Sequence, residues 1–172
     1  SWADHSNASS VAYGVSADGS VIVGAGNVGS MATKWVNGQI SYIGPDDYGR
    51  ATAYDVSADG SVIVGQLDSP PFGKREAAYF VDGVITGLGD LAGGIFSSAA
   101  YAVSADGSVI VGKGVSDSGE EAFRWENNVM TGLGDLDGGG FDSMAYDVSA
   151  DGSVVVGLGT IAGPEFQAIR WE

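Results

Sequence analysis

The chain contains no cysteine, which excludes a disulfide framework and any thiolate metal site. It has one histidine, His5. Three imidazole ligands for zinc therefore cannot be assembled, and a serine nucleophile would have a single candidate base close to the chain start. Basic residues are scarce: 7 Lys and Arg stand against 22 Asp and Glu, a formal charge of −15. Such a surface repels nucleic-acid phosphates and anionic membranes, so no nucleic-acid partner is expected. No apolar run approaches the roughly 18 residues that cross a bilayer, and no membrane insertion is expected. There is no phosphate-binding Gly-x-x-x-x-Gly-Lys-Ser/Thr segment, nor a Gly-x-Gly-x-x-Gly placed between a strand and a helix. The chain opens on Ser1-Trp2 with neither an initiator methionine nor an apolar leader, the form of an exported protein after removal of its signal peptide.

What is present is glycine, 29 residues of it, in a chain that is 44% hydrophobic and 17% charged. That composition is too apolar for disorder and too rich in turn formers for long helices. It is also repetitive. Tyr13 to Gly24 reads YGVSADGSVIVG, Tyr54 to Gly65 YDVSADGSVIVG, Tyr101 to Gly112 YAVSADGSVIVG and Tyr146 to Gly157 YDVSADGSVVVG. A period of roughly 40–50 residues marks a repeat architecture.

Within a unit the side chains alternate as strands do, and Asp18-Gly19, Asp59-Gly60, Asp106-Gly107 and Asp151-Gly152 supply the hairpin turn between the first two strands. A third strand ends in a large aromatic at Trp35, Phe80, Trp125 and Trp171. A fourth follows at Ile40 to Ile43, Val84 to Leu88 and Val129 to Leu133. A lone meander cannot bury its faces, so the units must stack. The fold expected is all-β: one repeat domain over residues 1–172, a β-propeller-like array of four four-stranded antiparallel blades, with the last blade incomplete. The approximate units are 1–44, 45–91, 92–136 and 137–172. The Tyr, Val and Trp columns are expected to form the core between blades.

Val-Ser-Ala-Asp-Gly-Ser-Val-Ile-Val-Gly, Glu121-Ala122-Phe123-Arg124-Trp125 and the Gly-Leu-Gly-Asp-Leu segments at 87–91 and 132–136 together resemble the HAF-repeat family of predicted bacterial extracellular proteins. The resemblance spans essentially the whole chain. It implies an exported protein, sometimes joined to an autotransporter or surface anchor, with no established common activity. The histidine that names the family is replaced by Met31, Glu76, Glu121 and Gln167. The Ser-x-Asp-Gly-Ser turn is also similar to the Asp box of sialidase-type propellers, but it lacks that motif's residue between Asp and Gly and its Trp.

Carboxylates are the remaining chemistry. Asp18, Asp59, Asp106 and Asp151 repeat once per unit, as turn-forming residues would. Asp90, Asp135, Asp137 and Asp142, with Asp4, Asp46 and Asp47, gather in the loops between units, where several flexible oxygen donors suit calcium. No cofactor is required by any motif. The loops between second and third strands vary while the scaffold does not, which is where binding resides on a rigid frame. The second of them carries Phe72, Lys74 and Arg75, a candidate partner contact. Trp2 falls where a preceding unit's fourth strand would finish and Trp171 near the end of an unfinished blade. Such open strand edges invite a homo-oligomer or filament. The function expected is a non-enzymatic, extracellular or cell-surface structural and interaction module. A carbohydrate-binding adhesin that contacts a surface glycan is the alternative, and a glycoside hydrolase or lyase is weakened by the lack of an unrepeated carboxylate pair.

Overall fold

The computed structural model describes residues 9–26, 31–43, 50–69, 74–162 and 165–172, and among these the ordered elements are all strands. Trp2, Asp4, His5, Asp46, Asp47 and Phe72 lie outside the described residues.

Every repeat opens with the same local chemistry. One oxygen of the Asp18 carboxylate accepts from the Ser16 hydroxyl at 2.8 Å, the Ser20 N–H at 2.9 Å and the Ser20 hydroxyl at 2.8 Å. The Ser16 hydroxyl in turn accepts from the Val21 N–H at 3.0 Å. The identical network closes around Asp59, Asp106 and Asp151. Gly19, Gly60, Gly107 and Gly152 follow with φ of 74°, 76°, 77° and 73°, a left-handed conformation that a side chain would strain. The two serines, the aspartate and the glycine are thus all consumed in folding one turn.

That turn joins β1 (Ser10–Val15) to β2 (Val21–Gly26), and β3 (Met31–Val36) and β4 (Gln39–Tyr42) complete the first blade. The second contains β5 (Arg50–Val56), β6 (Ile63–Ser69), β7 (Lys74–Val81) and β8 (Val84–Gly89). The third contains β9 (Ala99–Val103), β10 (Ile110–Ser116), β11 (Gly119–Glu126) and β12 (Val129–Gly132), and the fourth β13 (Ser143–Val148), β14 (Val155–Thr160) and β15 (Phe166–Trp171). Each is an antiparallel meander in chain order, and the fourth has three strands among the described residues. The first strands lie beside one another, β1 against β5, β5 against β9 and β9 against β13, while the fourth strands lie outermost. This radial order is β-propeller-like, as the repeat predicts.

A bulge explains two further residues of the motif. Ala12 pairs with Gly24 and Gly14 with Val23, which leaves Tyr13 as the extra residue, and the same slip passes over Tyr54, Tyr101 and Tyr146. The bulged strand presses a carbonyl onto its neighbour. A Cβ on Gly24, Gly65, Gly112 or Gly157 would overlap the carbonyl oxygen of Val11, Thr52, Ala99 or Met144. The opening tyrosine and the closing glycine belong to one distortion.

The core lies between blades. Val21, Val23 and Ala32 meet Ala51, Ala53, Val56, Ile63 and Phe80 across the first junction. Val64 and Ala77 meet Ala100, Val103, Ile110 and Phe123 across the second, and Val109, Val111 and Ala122 meet Ala145, Val148 and Val155 across the third. Each buried valine contributes about 1.5–3 kcal/mol relative to exposure. The valine and aromatic columns fill the expected role, and the tyrosines fill it in part: Tyr54 and Tyr101 are half-buried between the rings of their neighbours, whereas Tyr13 and Tyr146, on the first and last blades, are 52% and 50% exposed. Trp171 is half-buried and, like Leu133, packs against the cluster of the third junction, as its place in the aromatic column predicts.

Polar seams run alongside. The Ala17 N–H donates to the Ala58 carbonyl, that of Ala58 to Ala105 and that of Ala105 to Ala150, each at 3.0 Å. At the same seams a Cβ on Gly60, Gly107 or Gly152 would come within 2.6 Å of a methyl of Val21, Val62 or Val109 in the preceding blade.

The turn network makes stability pH-dependent. Asp18 and Asp106 are held down to about 2, first by the N–H of Ser20 and Ser108. Asp59 and Asp151 are held to about 2 first by the hydroxyls of Ser57 and Ser149. A carboxylate whose pKa is lower in the folded than in the unfolded chain stabilises the fold above the unfolded value and loses that contribution as it protonates. Asp55, raised chiefly by burial, acts in the opposite sense, but the four turns outnumber it. Urea midpoints should therefore be level near neutrality and fall between about pH 4 and pH 2. Asn at all four turn positions should flatten that fall.

Candidate functional site

The two ends of the blades differ in kind. One carries the serine-aspartate turns and the β3–β4, β7–β8 and β11–β12 turns, where Asn37, Asp82, Asn127 and Asn128 adopt φ of 51°, 50°, 53° and 62°. These are short and alike. The other end carries the variable β2–β3, β6–β7, β10–β11 and β14–β15 connections and the long loops that cross from β8 to β9 and from β12 to β13.

The crossing loops are held by the residues read as calcium ligands. Asp90 accepts from the N–H groups of Leu91 at 2.9 Å, Ser97 at 2.5 Å and Val115 at 3.0 Å. Asp135 accepts from the N–H groups of Leu136 at 2.7 Å, Asp142 at 2.8 Å and Thr160 at 2.9 Å, and from the Thr160 hydroxyl at 2.7 Å. Burial opposes ionisation of Asp135, but these donors outweigh it and its pKa is lowered. Val115 and Thr160 belong to the next blade, so each aspartate ties its own loop to the following unit. Glu76 and Glu121, at the position of the missing histidine, accept from the N–H groups of Gly89 at 3.2 Å and Gly134 at 3.1 Å. Ser98 and Ser143 donate to the carbonyls of the same two glycines at 2.5 and 2.7 Å.

Asp137 is exposed. Asp142 is raised in pKa, first by burial and then by Glu120, and its Oδ1 is a buried atom without a hydrogen-bond partner among the described residues. No group of three or more His, Cys, Asp or Glu side chains is placed to hold a metal among the described residues. Asp90 and Asp135 sit in separate loops and their oxygens already receive N–H groups, which assigns them to loop closure.

Around these loops lies an exposed surface of mixed character. Ile95 is 77% exposed, and Phe96 next to it in sequence, Phe141 in the loop from β12 to β13 and Phe166 at the start of β15 are exposed as well. The Lys74 ammonium stands 5.2 Å from the centre of the Phe96 ring, and the Arg75 backbone bridges to Ser97. Lys74 and Arg75, read from the sequence as part of a variable loop, are instead the first residues of β7, and they meet loop residues the sequence did not single out, Phe96 and Ser97. Ion pairs join Arg75 to Asp68 at 3.8 Å and Lys113 to Glu120 at 2.7 Å; at this exposure each contributes only about 0–1 kcal/mol to stability.

The bulged tyrosines form a ladder across the four first strands, with ring centres 5.6, 5.5 and 6.1 Å apart from Tyr13 through Tyr54 and Tyr101 to Tyr146. Burial, then Tyr54 and Glu120, pushes the Tyr101 phenol up to about 12. Burial followed by Tyr13 raises Tyr54 as well. Ring-to-ring spacing of this kind is favourable beyond area alone, and both ends of the ladder are open.

Removing a staple tests the assignment. Asp135→Ala leaves buried donors in two blades unpaired and should cost about 3 kcal/mol in urea unfolding. Asp137→Ala should cost less than about 0.5 kcal/mol. Stripping the protein with EDTA should leave the thermal midpoint unchanged; a fall on stripping that calcium restores would return the loops to metal binding.

No family model matches the chain, and no curated protein matches it in sequence. Its fold is shared with solved structures. A putative TolB from Agrobacterium tumefaciens superposes with a TM-score of 0.70 at 15% identity, covering 94% of this chain and 57% of that one. TolB from Acinetobacter baumannii gives 0.69 at 14% identity, covering 97% of this chain and 42% of that one. The chain thus spans about half the length of these structures, and at such identity the likeness is one of fold: an all-β, β-propeller-like array.

Proposed function

We propose that the chain is a non-enzymatic interaction module of an exported or bacterial cell-surface protein, which offers its variable rim to a partner. One observation carries this reading. Nearly every residue repeated between units is used by the scaffold, whereas Ile95, Phe96, Phe141 and Phe166, all in or next to the connections of the variable end, remain exposed. Apolar side chains grouped among charged pairs are the usual composition of a recognition surface. The motifs shared with HAF repeats support an extracellular or cell-surface location.

A surface-glycan adhesin is the second reading, favoured by the ladder whose terminal rings, Tyr13 and Tyr146, are half-exposed and offer faces for sugar stacking. Both readings can be examined on one panel of purified envelope proteins and immobilised surface glycans. The combined Ile95→Ser, Phe96→Ser, Phe141→Ser variant should keep the native circular dichroism and bind the protein partner at least tenfold more weakly, while Asn128→Gly at the opposite rim binds as the parent does. Glycan binding lost on Tyr146→Ala but kept by the rim variant would favour the adhesin. Equal protein binding by the rim variant, or cleavage of any glycan on the panel, overturns the proposal.

A further inference from the structure

The three junctions inside the chain repeat one interface, and its two halves recur unpaired on the first and last blades. On the first blade, Val15 is 58% exposed, whereas its counterparts Val56, Val103 and Val148 are 5%, 7% and 8% exposed. Ala12 is likewise exposed where Ala53, Ala100 and Ala145 are buried. On the last blade, Val156 is 42% exposed, whereas its counterparts Val23, Val64 and Val111 are fully buried. Ala168 is exposed where Ala32, Ala77 and Ala122 are buried.

The polar parts of the seam are unpaired at the same two places. The alanine chain leaves the Ala17 carbonyl without a donor and the Ala150 N–H without an acceptor among the described residues. Gly60, Gly107 and Gly152 each rest on a valine of the preceding blade, but around Gly19 a Cβ would meet nothing within 4 Å, and Val154 is the valine left without a glycine. Arg124, paired with Glu126, donates to the Gly152 carbonyl across the third junction. Arg170, paired with Glu172 in the same way, is exposed and reaches no such carbonyl.

We propose that the occupant of each face is a second copy of this chain, docked head to tail: the β14–β15 face of one copy receives the β1 face of the next. Ala12 and Val15 then cover Val156 and Ala168, Gly19 seats on Val154, the Ala150 N–H reaches the Ala17 carbonyl, and Arg170 reaches the Gly19 carbonyl. The argument for a second copy is that both halves are present on one chain with the chemistry that already pairs three times within it. The contact is heterologous, since unlike faces meet. It makes no use of the variable rim, so the rim reading and this one fail independently. The charge of −15 on each copy opposes association, and salt screens that repulsion.

Val15→Glu and Val156→Glu change residues already exposed in the single chain, so each variant should keep the parent's circular dichroism and, at dilutions where the parent is itself a single chain, its thermal midpoint. By light scattering and sedimentation, the parent's mass should rise with protein concentration to two copies or more, and further at 0.5 M than at 0.05 M salt. Each variant alone should remain a single chain, because every pairing then includes a damaged face. Mixed in equal amounts, they should form a dimer that does not extend, since one copy brings an intact β1 face and the other an intact β14–β15 face. A parent that stays a single chain at every concentration and salt overturns the proposal. So does either variant assembling alone as the parent does, which would show like faces meeting, or a mixture that stays monomeric.

Discussion

A narrow sheet has two faces, and neither can be kept dry from within. In this molecule that constraint governs everything else: a blade buries a face only where a neighbouring blade lies against it. The hydrophobic stabilisation is therefore located at the junctions, in Val23 against Ala53, Val64 against Ala100 and Val111 against Ala145. Stability of this sort grows with each neighbour added rather than residing in one central core. The polar groups follow the same rule. Alanine amides, turn glycines and the loop carboxylates Asp90 and Asp135 all join one unit to the next.

The opposite ends of the blades have consequently been given different duties. Where the chain turns tightly, three hydroxyl or amide donors converge on one carboxylate oxygen, and the geometry tolerates little substitution. Where it crosses between blades, a single aspartate secures the loop at its base. The side chains beyond that anchor are released from structural service, and they are the ones that differ from unit to unit.

Much of this could be read in the sequence, because repetition multiplies a local signal. Strand order and the four turns follow from spacing and alternation alone. The tyrosine column was legible only in part, since a large ring recurring in every unit has the statistics of a core residue, whereas Tyr54 and Tyr101 are half-buried and Tyr13 and Tyr146 are exposed. Only the paired register shows that it is the inserted residue of a bulge. The ties made by the loop aspartates are hidden for a related reason: Asp90 and Asp135 have the composition of an ion site, while some of the N–H groups they accept come from as far away as Val115 and Thr160, 25 residues along the chain. Backbone donors carry no letter in a sequence. Ile95, Phe96 and Phe141 went unremarked because an apolar residue in a loop is silent until its exposure is known.

The chain of alanine bonds gives the array a sense of direction. Each amide gives in one direction and each carbonyl receives from the other, so the seam has a hook on one side of every blade and an eye on the opposite side. Because all hooks and eyes are alike, any unit can stand beside any other without a mismatched joint, whatever loops it carries.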